Sequence, residues 1–265
     1  MLAYDVHGSG PGLVLLSGVG GTAALTWETL LAGLAAEHTV VLADLPGSGR
    51  SPLPVGRLEA DVVADQVVAT AERAGLSDFV IAGPSLGAAV AIKVAARHPD
   101  RVRGLVTLSG FARARTSLWL RLETWASLHS RRDDALNAFL TSLSFSEEYL
   151  TSRTPETARY LAARLLSSAP GTARQIAFAL GIDVRGDLSA VSAPTLVVAA
   201  AGDRFVAPQH SVDLADGIPG ARLAAVRGGH AGTFEEPDRT LEILTGFLRD
   251  LRRSPADRTT SCSHV

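Results

Sequence analysis

Three residues, Ser85, Asp203 and His230, have the types and settings that nucleophilic catalysis requires. A serine hydroxyl is a weak nucleophile at neutral pH. It needs a base to take its proton, and the base needs a group to hold its tautomer. Ser85 is the centre of Gly83-Pro84-Ser85-Leu86-Gly87, where the apolar run Phe79 to Ala82 stops and an Ala-rich helical segment begins at once, ending before Pro99. A strand, a sharp turn and a helix place a serine hydroxyl clear of the end of a sheet. Gly83 and Gly87 are expected where the strand and helix backbones pass so closely that a Cβ would clash. Asp203 follows the buried-type strand Pro194 to Ala201 through Gly202. His230 lies in Gly228-Gly229-His230-Ala231-Gly232, after a strand around Leu223 to Val226. Both therefore fall at carboxyl ends of strands, the edge where open α/β sheets bind ligands. Taken singly, an Asp after a strand is usually a helix cap and a loop His is usually solvated. The order Ser, Asp, His joins them into one candidate triad.

Charge developing on a substrate oxygen needs two preorganised donors. The Leu86 N–H, at the start of the nucleophile helix, is one, and the helix dipole adds to it. The Gly18-Val19-Gly20 loop supplies the other, read as the Val19 N–H; a plain strand-to-helix turn is the alternative for that loop. Phosphate binding fits less well, because there is no Gly-Lys-Ser/Thr and no Gly-x-Gly-x-x-Gly spacing. Asp44 and Arg50 bracket a tight loop near the same edge and are read as a local ion pair that stiffens it, with a catalytic role for them as the alternative. His7, His38, His98, His129, His210 and His264 lack comparable settings and are given structural or surface roles.

The elements that must hold these residues alternate in type. A weak edge strand spans Ala3 to His7, and Leu13 to Leu16 reads as a buried parallel strand. A helix from Thr22 to Ala36, a strand from Thr39 to Ala43 and a helix from Leu58 to Ala74, closed by Gly75, follow. After the nucleophile strand and helix comes Val102 to Ser109. Such alternation implies a mostly parallel central sheet with helices on both faces. It breaks between Gly110 and Gly186, where apolar residues recur at helical spacing in Leu118–Leu128, Ala135–Leu143, Thr157–Leu166 and Ala173–Leu180. Residues 111–186 are read as a helical cap inserted over the strand ends, residues 1–110 and 187–252 as the core domain, and 253–265 as a flexible polar tail. A helix from Gln209 to Gly217 and an amphipathic one beginning near Pro237 complete the core. Cap aromatics are packing residues first, but some should line a substrate pocket that excludes water. Gly18, Phe111, Trp119, Trp125, Phe205 and Ala231 are the candidate lining residues.

With 46% hydrophobic and 20% charged residues in 265, the chain can fill a sizeable core. A net charge of −2 without a basic cluster argues against nucleic acid. The single cysteine, Cys262, excludes an internal disulfide and Cys-rich metal sites. The Cys262-Ser263-His264-Val265 ending has the cysteine position of a prenylation box, but Ser and His suit its aliphatic positions poorly. No signal-like start and no run long enough to span a bilayer is found, so a cytoplasmic location is expected. A small, mostly apolar substrate is the expected partner, without nucleic acid, membrane, metal or cofactor, and a homodimer is left open.

At this point the chain resembles the α/β-hydrolase fold superfamily, over about Ala3 to Leu251. It looks most like the small cofactor-free branch that includes enol-lactonases, esterases, carbon–carbon bond hydrolases and perhydrolases. The segments carrying the resemblance are Leu13–Gly18, Asp44–Ser51, Gly83–Gly87, Pro194–Val197, Gly202-Asp203 and Gly229-His230. Two positions depart from the family pattern. Ser17 stands before Gly18 where the family usually has His, and Pro84 precedes the nucleophile where His, Gln or Asn is common. The resulting expectation is a serine-dependent hydrolase of an ester, lactone or thioester. The departures motivate an alternative, a lyase, cyclase or C–C bond-cleaving tailoring enzyme of secondary metabolism using the same pocket. A ligand-binding protein without catalysis is the third reading, since fold alone does not fix function.

Overall fold

The computed structural model describes residues 1–165 and 169–253. Of the expected tail only Arg253 is among them, and Cys262, His264 and Leu166 lie outside. The chain runs β1 (Tyr4–His7), β2 (Gly12–Leu15), α1 (Ala23–Ala35), β3 (Thr39–Ala43), α2 (Ala60–Arg73), β4 (Phe79–Pro84), α3 (Leu86–Arg97) and β5 (Val102–Leu108). Five helices follow without a strand: α4 (Thr116–Ser130), α5 (Ala135–Ser144), α6 (Glu147–Thr151), α7 (Pro155–Leu165) and α8 (Thr172–Gly181). A 3-10 turn at Arg185–Ala190 leads back to β6 (Thr195–Ala200), α9 (Gln209–Gly217), β7 (Arg222–Val226), α10 (Gly232–Glu235) and α11 (Pro237–Arg252).

The strands form one seven-stranded sheet in the order β1-β3-β2-β4-β5-β6-β7. Only β1 is antiparallel, pairing Tyr4 with Ala43 through His7 with Val40. β4 lies in the middle, in register with β2 (Val14 opposite Ile81) and β5 (Ile81 opposite Leu105). Its period-two alternation feeds two cores. Phe79 and Ile81 join α2, α3 and part of the five-helix insertion on one face. Val80 and Ala82 join Trp27, Leu30 and Leu34 of α1 and Leu244 and Phe247 of α11 on the other. Burial on both faces explains why these strands read as continuous apolar runs. Ala88, Ala89, Val90, Ala91 and Ile92 of α3 have no exposed surface, and their small side chains let the helix lie close against the sheet.

The insertion is closed at its neck by the Arg113–Asp183 bridge and by the Val184 N–H, which donates to the Ala112 carbonyl at 2.9 Å. Helix α4 turns Leu118, Leu122 and Trp125 inward, a stripe at helical spacing. Helix α6, absent from the sequence reading, is one short turn started by Ser146, whose hydroxyl accepts from Tyr149 N–H at 3.1 Å. Among the described residues no helix is long and apolar enough to cross a membrane.

Candidate active site

Ser85 sits between β4 and α3 with φ 54° and ψ −121°, a conformation that side-chain-bearing residues rarely adopt. Strain of this kind persists only where the surroundings over-determine it. The Ser85 N–H donates to Leu108 O at 3.0 Å, and Ala88 N–H donates to Ser85 O at 3.1 Å. A Cβ on Gly83 would lie 2.5 Å from the Gly87 carbonyl, and one on Gly87 2.5 Å from Ser17 O. The elbow is thus squeezed between its own helix and the end of β2. Pro84 fits because it is the last residue of β4, in register with Leu108, where it lines the cavity beside Ser85.

Asp203 follows β6 and builds its own turn. One carboxylate oxygen, Oδ1, accepts from Phe205 N–H and Val206 N–H, each at 2.8 Å. The other, Oδ2, is 2.7 Å from His230 Nδ1, with the Asp203 side chain 1% exposed and that of His230 17% exposed. An ionised carboxylate only accepts, so Nδ1 carries the proton and Nε2 is left with a lone pair. The Phe205 ring packs 5.2 Å from the imidazole and meets Trp125 edge-on at 5.8 Å. Glu235 holds the histidine loop: its Oε1 accepts from Gly229 N–H (2.9 Å) and Ser146 N–H (3.0 Å), and its Oε2 accepts from the Ser146 hydroxyl (2.6 Å). Ala231 N–H donates to Ser144 O at 2.8 Å, so the loop is seated on the α5–α6 junction.

The loop after β2 is tied from several sides. The Ser17 hydroxyl donates to Gly21 O at 3.1 Å, occupying with a short side chain the place where the resemblance expects His. The Gly20 N–H donates to Gln175 Oε1 of α8 at 2.7 Å, and the buried Trp27 indole donates to Leu16 O at 2.7 Å. Leu86 opens α3, so its N–H has no carbonyl one turn back within the helix. Val19 lines the cavity.

That cavity, about 170 Å³, brings Ser85 and His230 together with Gly18, Val19, Trp125, Phe205 and Ala231. Phe111 and Trp119, both expected there, lie elsewhere. Phe111 is buried in the core with its ring edge toward His210, and Trp119 is 39% exposed because it falls off the Leu118–Leu122–Trp125 stripe of α4. The lining that sequence reasoning missed includes Leu25, Thr26 and Thr29 of α1, Leu136 and Leu140 of α5, and Phe234 of α10. Among the described lining residues His230 is the one side chain with a titrating nitrogen, and none carries a carboxylate, an ammonium or a guanidinium.

The Asp44–Arg50 pair does not form. Asp44 Oδ1 accepts from Ala23 N–H at 2.9 Å, at the positive end of α1, while Arg50 turns outward to Asp5 at 2.7 Å. Gly49 packs directly on the Asp44 carboxylate, which leaves that group facing the helix.

His210 is buried on α9 against Phe111, with Nε2 unpartnered. Burial holds its pKa below the ordinary histidine value, Arg115 and Arg121 pushing the same way and Asp213 and Asp203 opposing. The unfolded chain therefore takes up this proton first as pH falls, and the native state loses stability from about pH 6.5 downward. In urea unfolding between pH 7.5 and 5.5, His210→Gln should show a shallower decline than wild type, by up to about 1.4 kcal/mol per pH unit. Equal slopes would place the titration elsewhere.

A strained serine on a strand–helix elbow, a His–Asp pair on later strand ends and a parallel sheet beneath them define a protein class, the α/β hydrolases. A profile of the alpha/beta hydrolase fold matches residues 11–237, and the chain belongs to that family. It is 32% identical over 250 residues to pyrrolizixenacetamide deacetylase of Xenorhabdus hominickii, covering 93% of this chain and 94% of the relative. It is 33% identical over 259 residues to a RutD protein of Azorhizobium caulinodans assigned as a carbamate hydrolase, covering 94% and 96%. The crystal structure of the enol-lactonase from Burkholderia xenovorans LB400 superposes with a TM-score of 0.84 at 21% identity, over 94% of this chain and 96% of that one, a likeness of fold.

Proposed function

We propose that this hydrolase cleaves a neutral ester, lactone or thioester through an acyl-enzyme on Ser85. The observation that carries the reading is the buried Asp203–His230 bond, which leaves Nε2 as the free base in the cavity that Ser85 enters. His230 Nε2 takes the Ser85 proton as Oγ attacks the carbonyl carbon. Asp203 stabilises the imidazolium that forms. The Val19 and Leu86 N–H groups bind the oxyanion. The intermediate collapses, the C–O or C–S bond breaks, and the leaving group takes the proton from Nε2. Water then attacks the acyl-enzyme, gives its proton to the same nitrogen and frees Ser85 and a carboxylic acid.

The insertion acts as the cap of this site, with Trp125, Leu136 and Leu140 forming an apolar roof. The described lining, apolar apart from hydroxyls and His230, favours a substrate that carries no charge near the reacting carbonyl. The deacetylase relative makes acyl–nitrogen bonds a second class to test, because His230 can protonate a leaving amine as readily as an alkoxide.

A fluorophosphonate probe followed by intact mass measurement tests the reading. One phosphonyl adduct per chain is expected, with fluoride displaced, and neutral short esters should slow its formation more than the matching carboxylate-bearing esters. A folded protein that stays unlabelled would mean an unactivated serine and would favour a ligand-binding role.

A further inference from the structure

We propose that Gln175 is a positioning residue for the oxyanion loop: through it, helix α8 of the insertion fixes the peptide that follows Val19. This rests on the serine-hydrolase reading above. Gln175 has no exposed surface, although it is a polar residue on an amphipathic helix. Both ends of its carboxamide are engaged. Oε1 accepts from Gly20 N–H at 2.7 Å, and Nε2 donates to Pro46 O at 2.8 Å and to Ser48 Oγ at 2.9 Å. The partners fix the orientation of the amide, because a backbone N–H needs the oxygen and a backbone carbonyl needs the NH₂. Neither an aliphatic side chain of this size nor an ionised Glu can serve both.

The bond to Gly20 has two consequences. The Gly20 N–H is spent on Gln175 and is not available to a substrate oxygen, while the neighbouring Val19 N–H is not engaged by Gln175. The peptide plane joining Val19 to Gly20 is also held, with Gly20 at φ +74° and the loop's far end tied by Ser17 to Gly21 O. A donor is useful to an oxyanion only if its direction is set before the charge appears. Gln175 restrains it from the insertion side, by holding the peptide plane that follows Val19 and so limiting how far Val19 can turn. The start of α8 is itself docked on the loop after β3, with Gly171 N–H on Gly47 O at 2.9 Å and the two glycines in backbone contact. Oxyanion stabilisation is therefore coupled to the seating of α8.

The test compares wild type, Q175L and Q175E on the preferred ester and in fluorophosphonate labelling, with melting curves recorded alongside. Q175L removes acceptor and donors, and kcat and the phosphonylation rate should both fall about 10²-fold, with KM within about threefold. Q175E keeps the acceptor for Gly20 N–H while losing donors to Pro46 and Ser48. It should be destabilised much as Q175L is, yet keep kcat within about tenfold of wild type. Stability and kcat then separate, which a purely structural glutamine would not produce. If Q175L does not fold, Q175E carries the test alone: a folded Q175E with kcat down as far as 10²-fold would overturn the inference. So would a Q175L that turns over and labels like wild type. A wild type that takes no phosphonyl group would remove the hydrolase reading and this inference together, an outcome separate from either.

Discussion

Ser85→Ala should lower turnover of the preferred ester by about 10⁶-fold and abolish the fluorophosphonate adduct, with substrate affinity nearly unchanged. The substitution removes one hydroxyl and keeps the Cβ, so the elbow is packed as before between Gly83, Gly87 and Leu108. The loss is large because the remaining groups act only in concert with the nucleophile. His230 has no proton to take, and the loop donors have no tetrahedral oxyanion to bind. The variant also separates the hydrolase from its rival. A lyase, cyclase or C–C-cleaving enzyme would use His230 as a base on the substrate itself, with the loop holding an enolate. In that case Ser85→Ala would keep most of its turnover, His230→Ala would lose it, and products made in ¹⁸O-labelled water would carry no label. Loss in both variants, with ¹⁸O in the acid product, is the result expected of an acyl-enzyme.

The sheet was legible because its strands have local signatures, and so was the fact that Ser85, Asp203 and His230 fall at one edge of it. Apolar runs ending in Gly-containing turns mark the strand ends, and Ser85, Asp203 and His230 stand in the turns that follow β4, β6 and β7. The strand spans of β3 and helix α9 coincide with the expected Thr39–Ala43 and Gln209–Gly217. What could not be read is what depends on how distant elements meet. Gln175 and Glu235 clamp two loops of the site, but in sequence Gln175 is a polar residue on an ordinary helix and Glu235 an acidic residue just before one. Gly20 lies 155 residues from Gln175 and Ser146 lies 89 from Glu235, and the backbone N–H groups they offer leave no mark in a side-chain pattern. The Asp44–Arg50 expectation failed for a related reason. Proximity in a loop suggested a pair, while the helix N-terminus at Ala23, a stronger partner for a buried carboxylate, is visible only in three dimensions. Trp119 misled because a helix face is set by phase, and Leu118, Leu122 and Trp125 take the inner one.

Asp203→Asn should reduce kcat by about 10⁴-fold while leaving KM and the melting temperature close to wild type. The outcome depends on which atoms can exchange partners. Oδ1 of Asp203 accepts two backbone N–H groups, from Phe205 and Val206, and Oδ2 accepts from His230 Nδ1. An asparagine has one acceptor oxygen. If it faced His230, its NH₂ would be pressed against two N–H donors inside a buried turn, leaving those donors unpaired. The oxygen is therefore held by the turn, and the NH₂ faces Nδ1. That nitrogen must then accept, so the imidazole proton moves to Nε2, the atom that has to receive the Ser85 proton. The fold, the cavity and the rings of Trp125 and Phe205 are untouched, which is why binding should survive when turnover does not. The phosphonylation rate should fall with kcat, since both need the same lone pair on Nε2. A loss of tenfold or less would reduce Asp203 to the builder of its own turn, and the base at this site would have to be oriented by something other than its carboxylate.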